Sequence, residues 1–180
     1  MVIPAYAGAL NTAASRATAL ITGASSGIGL ALARQMAPDF DLILTARNQD
    51  RLNEIARELQ QKHGNLVHVI AADLTRPEAP DEIFAEIARR GLRVDALINN
   101  AGFGSYGLFA ENARKDDGKM IQVNIAALTH LTRLALPQMI ERKSGRIMNV
   151  ASTAGFQAGP LMAVYYASKA LCDSLLRSHR

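Results

Sequence analysis

Ala19-Leu20-Ile21-Thr22-Gly23-Ala24-Ser25-Ser26-Gly27-Ile28-Gly29 is the stretch on which the fold turns. Its first four residues form an apolar run short enough for a buried strand. Three glycines follow, and the chain then reads as a helix from Gly27 to Met36, stopped by Pro38. A strand that enters a glycine turn and leaves it as a helix is the opening βα unit of an α/β sheet. The alternation continues downstream. Asp41–Ala46 reads as a second strand, and a helix over about Asp50–Lys62 lines up Leu52, Ile55, Ala56 and Leu59 on one face. Leu66–Ala72 is a third strand, Pro80–Arg90 a helix with Ile83, Phe84 and Ile87 inward, and Val94–Ile98 a fourth strand. A long helix is expected over about Asp116–Arg142, a fifth strand over Arg146–Val150 and a last helix from near Met162. Fully apolar strands alternating with helices imply a parallel sheet with right-handed crossovers, a doubly wound α/β fold of Rossmann type.

Composition narrows the function classes. With 180 residues and 49% hydrophobic content the chain makes one domain. Its charge of +4 is spread among acids rather than gathered in a block, so no nucleic-acid stripe is indicated. Glu58/Lys62 and Glu86/Arg90 have the i,i+4 spacing of solvated helix faces. No apolar run approaches the roughly 18–20 residues that span a bilayer, so no membrane partner is indicated. The single cysteine, Cys172, points to a reduced, cytoplasmic protein. His63, His68, His130 and His179 lack partners at metal-ligand spacing, and no metal is expected. Residues 1–15 lack a positive leader region and read as a flexible extension, or as an upstream start, ahead of a domain over 16–180.

The glycine turn is built for a phosphate. Gly23 permits the tight turn, Gly27 lets backbone approach a pyrophosphate and Gly29 lets the helix pack closely. The candidate cradle is Thr22, Gly23, Ser25, Ser26, Gly27, Ile28 and Gly29, with free N–H groups and the positive end of the helix dipole toward the ligand. At the end of the second strand an NAD site would have an acid for the ribose hydroxyls. Thr45-Ala46-Arg47 has none, and Arg47 follows as a cation suited to the 2′-phosphate of NADP. Asp73 either meets the adenine edge or caps the turn Leu74-Thr75. Asn100, Ala101 and Gly102 either let the cofactor lie against backbone or merely close the fourth strand.

Tyr165 and Lys169 lie one helical turn apart and share a face. Ser152 follows the fifth strand at the carboxyl edge of the sheet, where open α/β folds bind ligands. Asn124 sits inside the long helix, where an amide has little helix-forming value. Each also has a plain reading: a surface pair, the start of a turn, an amide bonded to its own helix.

With TGASSGIG, NNAG, the Asn of VNIAA, the Ser of NVASTAG and YYASK in this order, the chain resembles the short-chain dehydrogenase/reductase family from Thr18 to about Ala170, and the separation of Ser152 from Tyr165 also matches. The resemblance implies an NADP-dependent oxidoreductase moving a hydride between NADP(H) and a small-molecule carbonyl or alcohol. Tyr165 is then the acid/base and Ser152 orients the carbonyl. Lys169 favours the phenolate and holds the nicotinamide ribose, while Asn124 positions a relay water. Tyr165 and Lys169 thus also touch cofactor. Apolar loops at 103–109 and 156–162 suggest an apolar substrate. Family members continue into two more strands, a substrate lid and a further nicotinamide contact, so the sequence reads as a C-terminally incomplete member. Its alternative is an NADP-binding fragment with little activity. The tail 171–180 departs from the family, as a single-base frameshift or a deliberately shortened chain would make it. Subunit pairing through the last two helices is implied by the resemblance and would be disturbed by the early end.

Overall fold

The computed structural model describes residues 16–110 and 114–177. The extension over 1–15 and His179 lie outside them. Five strands, β1 (Ala17–Thr22), β2 (Phe40–Ala46), β3 (Val67–Ala71), β4 (Ala96–Asn99) and β5 (Arg146–Asn149), form one parallel sheet in the order β3-β2-β1-β4-β5. Between them run α1 (Gly27–Met36), α2 (Gln49–His63) and α3 (Ala79–Arg89). A longer helical run follows, made of α4 (Arg114–Ile121), a π segment (Gln122–Ala127) and α5 (Leu128–Glu141). After β5 come a 3-10 turn (Thr153–Phe156) and α6 (Ala163–Arg177). No helix among the described residues is long and apolar enough to cross a membrane.

Alternation along the strands distributes the core to both faces. Ala19, Ile21, Leu42 and Leu44 pack with Ala33 of α1 and Leu52, Ile55 and Leu59 of α2. Leu20, Ile43 and Leu97 point the other way, onto Ile83 and Ile87 of α3 and Leu131 and Ala135 of α5. Each such large side chain contributes about 1.5–3 kcal/mol by leaving water, which is why the central strands β1, β2 and β4 carry apolar residues on both faces. Local signals fix the helix ends. Asn48 Oδ1 accepts the Arg51 N–H at 3.0 Å to start α2, and Gly64 closes it in the left-handed conformation.

Three expectations change in detail. The long helix is interrupted: its middle turn is π-helical, and Asn124 there bonds to the segment after β4 instead of to its own helix. The fourth strand pairs only from Ala96, although Val94 is buried and Asp95 N–H reaches Thr18 O at 2.8 Å. Glu58 pairs across the surface with Arg34 of α1 at 3.0 Å rather than with Lys62, because α1 and α2 lie side by side on the same face. Glu86 does pair with Arg90, and with Arg89 as well.

The two sheet edges are finished differently. Along β3, Gln60 Nε2 donates to Val67 O at 3.4 Å and Arg90 Nη1 donates to Val69 O at 3.2 Å. Along β5, Arg146 and Met148 are exposed, and the outer edge has no paired strand among the described residues.

Candidate active site

The carboxyl ends of β1 and β4 are fastened together by side chains. Thr22 Oγ1 accepts the N–H groups of Asn100 (3.0 Å) and Ala101 (2.9 Å) and donates to Ile98 O (3.3 Å). Asn100 Nδ2 donates back to Thr22 O (2.9 Å) and Gly23 O (3.3 Å). The sequence marks Thr22 and Asn100 as cofactor residues, and here both brace the turn from within. Gly23 has φ +66°, and a Cβ on it would sit 2.9 Å from Asn100 Nδ2. A Cβ on Gly29 would collide with Gly23 O and with that same amide. The glycines therefore hold the start of α1 against the turn.

The ligand side of the turn stays open. Ser26 precedes α1 in extended conformation without a side-chain cap, and α1 has no acid in its first turn. The first N–H groups of the helix therefore keep their positive potential. Ser25 is half-buried and Ser26 exposed, a Cβ on Gly27 would meet nothing within 4 Å, and Ile28 is 61% exposed. Arg47 is exposed just past β2. Asp73 Oδ1 accepts the Thr75 N–H at 3.0 Å, so its turn-capping reading is realised. That bond chiefly holds the carboxyl below the usual range. Partial burial opposes it, while the Thr75 side chain and the charges of Arg47 and Arg76 add to it.

At the other end of the edge, Lys169 is buried, its Nζ donates to Val150 O at 3.0 Å and lies 5.9 Å from the centre of the Tyr165 ring. Tyr165 is half-buried and meets Tyr166 edge-on at 6.3 Å. Ser152 Oγ accepts the Ala154 N–H at 3.1 Å, which starts the 3-10 turn and leaves the hydroxyl hydrogen for another acceptor. Asn124 is buried. Its Oδ1 accepts from Phe103 N at 3.1 Å, and its Nδ2 donates to Phe103 O at 2.9 Å and to Ser168 Oγ at 3.0 Å. Both amide hydrogens are thus committed. A Cβ on Gly102 would lie 3.0 Å from Asn124 Oδ1 and 3.5 Å from Lys169 Nζ, so the oxygen and the ammonium border the same backbone.

Ser168 was not singled out from the sequence. It is fully buried, and its hydroxyl donates to Tyr165 O at 2.7 Å while accepting from Asn124. Its one available signal was a polar residue directly before Lys169 on the buried side of α6. The Val150 carbonyl that holds Lys169 carries no sequence signal. Phe103, Tyr106, Leu108, Phe109 and Phe156 are exposed around this end, and the Gly107 N–H donates to Leu161 O at 2.8 Å, tying the two apolar loops into one lip.

The chain is similar to known proteins. A family model of short chain dehydrogenases matches residues 17–180. A very-long-chain 3-oxoacyl-CoA reductase of Anas platyrhynchos is 36% identical over 167 residues, covering 89% of this chain and 53% of that protein. The chain thus spans about half the length of the curated relatives it matches. Among solved structures, a short-chain dehydrogenase from Sphingobium yanoikuyae in complex with NADPH superposes with a TM-score of 0.84 at 36% identity, over 89% of this chain and 63% of that one. The L-sorbose reductase of Gluconobacter frateurii, complexed with NADPH and L-sorbose, gives 0.83 at 34% identity, over 89% and 62%.

Proposed function

Because this chain belongs to the short-chain dehydrogenase family, we propose that it binds NADP(H) and reduces a small-molecule carbonyl to an alcohol, with the reverse direction open to it. The observation that carries the reading is the buried Lys169 ammonium next to the Tyr165 ring, with the Ser152 hydroxyl hydrogen uncommitted, all at the carboxyl edge of the sheet that ends in the glycine turn.

The residues fit the cofactor. The uncapped start of α1 and the backbone from Gly23 to Gly29 suit its pyrophosphate, and Arg47, with no acid at the tip of β2, suits a 2′-phosphate. Asp73 would border the adenine with the side of its carboxylate not used on Thr75. Ala101 and Gly102 would let the nicotinamide half lie on backbone. When bound, NADPH supplies the hydride. Tyr165 gives its hydroxyl proton to the carbonyl oxygen, and Ser152 donates a hydrogen bond to the same oxygen. The Lys169 charge stabilises the negative charge left on Tyr165, its position held by Val150 O, and its remaining N–H groups serve the nicotinamide ribose. Replacement protons reach Lys169 through a water beside Asn124 Oδ1, since the Asn124 N–H groups are committed.

The relatives point to different substrates, an acyl-CoA in one and a sugar in another. The lip of Tyr106, Leu108, Phe109 and Phe156 supports an apolar ketone or aldehyde here. Exposed Ile140 on α5 and Leu171 on α6 support subunit pairing through those helices, and buried, unpaired Cys172 supports a cytoplasmic setting. The openness of the same lip, with Tyr106 74% exposed, favours a second reading, cofactor binding with little turnover, because water weakens every charge interaction there.

Calorimetric titration with NADPH and NADH, followed by turnover on an aryl ketone and on L-sorbose, separates these readings. NADPH binding with turnover of the aryl ketone supports the first, binding alone supports the second, and binding of neither nucleotide defeats both. Tyr165→Phe should lower turnover about 10²–10⁴-fold and leave NADPH affinity intact. Full turnover in that variant removes Tyr165 from the chemistry.

A further inference from the structure

We propose that Gly104 is a positioning residue for Tyr165: the absence of a side chain there sets where the tyrosine ring stands, and with it the hydroxyl that delivers the proton. The inference rests on the reading of Tyr165 as acid/base. Gly104 does not have the left-handed backbone that explains Gly23, Gly27, Gly64, Gly91 and Gly107, so its conformation admits any residue. What excludes a side chain is space. A Cβ at Gly104 would sit 3.0 Å from Tyr165 Cδ2, 3.2 Å from Tyr165 Cγ and 3.1 Å from Met162 Cε. The two ring atoms belong to a rigid plane near its attachment to α6, so relief means moving the whole ring by tenths of an ångström. The Met162 methyl is the end of a flexible chain and gives way easily.

The backbone around Gly104 is itself held. Asn124 grips both the N–H and the carbonyl of Phe103, and Gly107 N–H is bonded to Leu161 O. The Tyr165 backbone is held from behind by Ser168 at 2.7 Å. With both walls fixed, an added methyl has the ring as its main outlet. The ring carries its hydroxyl relative to Lys169 Nζ, now 5.9 Å from the ring centre, and to Ser152. Reaction rates respond steeply to such displacement, about 100-fold for a 1 Å misplacement, so a few tenths of an ångström correspond to about two- to six-fold.

The test is Gly104→Ala beside wild type, Tyr165→Phe and the double variant Gly104→Ala/Met162→Ala, all assayed with NADPH and one aryl ketone. Gly104→Ala should lower kcat about two- to six-fold with KM and NADPH affinity little changed. It should also alter the pH–rate profile, because the hydroxyl meets the Lys169 charge at a new distance. The double variant, which removes a neighbour that already gives way, should keep the lowered kcat; full recovery there would show that Met162 and not the ring takes up the methyl, and would overturn the inference. A Gly104→Ala enzyme with wild-type kcat and pH profile, in a series where Tyr165→Phe is inactive, overturns the inference alone. A Tyr165→Phe enzyme with full turnover, or a wild-type chain with none, removes the reading beneath it and the inference with it. If Gly104→Ala loses NADPH binding, Gly104 is a folding residue and the assignment is wrong.

Discussion

Thr22 and Asn100, at the ends of β1 and β4, spend their polar atoms inside the protein: three contacts at the Thr22 hydroxyl and two from the Asn100 amide, all to backbone. Ser152 and Lys169, past β5 and on α6, hold atoms back. Ser152 only accepts, and Lys169 Nζ commits one bond to Val150 O. The first pair shapes a surface and leaves ligand contact to backbone N–H groups. The second pair keeps side-chain donors for whatever arrives. Changes on the two sides should therefore be felt in different measurements, structure and cofactor affinity on one, rate on the other.

The sharpest separation is expected at Ser152. Ser152→Ala removes a donor to the developing negative oxygen, which costs about 10²–10³ in kcat, while NADPH affinity by calorimetry stays at the wild-type value. Equal losses in both would break the division. Next is Arg47→Ala, which should weaken NADPH about 10–100-fold through loss of a charge-assisted bond and leave NADH and kcat at saturating NADPH unchanged. Equal weakening of both nucleotides would show that Arg47 does not read a 2′-phosphate. Asn100→Ala should lower unfolding free energy by about 1–2 kcal/mol in urea titration and weaken both nucleotides together, since the turn loses its brace. A variant of full stability would mean that the glycines hold the turn unaided.

The smallest effect lies outside this edge. Burial lowers the His68 imidazole, Arg90 pushes the same way and Asp41 opposes. The unfolded chain then takes up a proton more readily than the folded one. The stability His68 contributes is intact above about pH 6.5 and falls as pH drops from there toward the lower folded value. His68→Gln should flatten that acid decline in Tm by about 1 °C, read by circular dichroism, with activity unmoved.

The strands and the glycine turn were legible because each is a local pattern. Leu20, Ile43 and Leu97 are apolar wherever one looks along the chain, and Gly23 and Gly29 stand at fixed spacing beside a strand. Tyr165, Lys169 and Ser152 were legible as a spaced set whose resemblance gave them roles. Their neighbours were not. Ser168 matters because Asn124 stands opposite it, and Gly104 because a ring from α6 lies on it. Such roles arise only when segments 44 or 61 positions apart meet. The π turn at Gln122–Ala127 escaped for a related reason: its apolar residues continue a helical pattern, and the bonds its Asn124 makes to Phe103 span 21 positions. Glu58 has Lys62 at i,i+4 spacing along the chain, and only the packing of α1 beside α2 brings Arg34 to it.

The β3 edge has its outward carbonyls occupied by Gln60 and Arg90, and the β5 edge carries no such plugs among the described residues. The sheet is therefore polar, in the sense that a filament is polar: its two ends differ in the backbone groups they leave open. Among the described residues, the open backbone groups lie beside Met148.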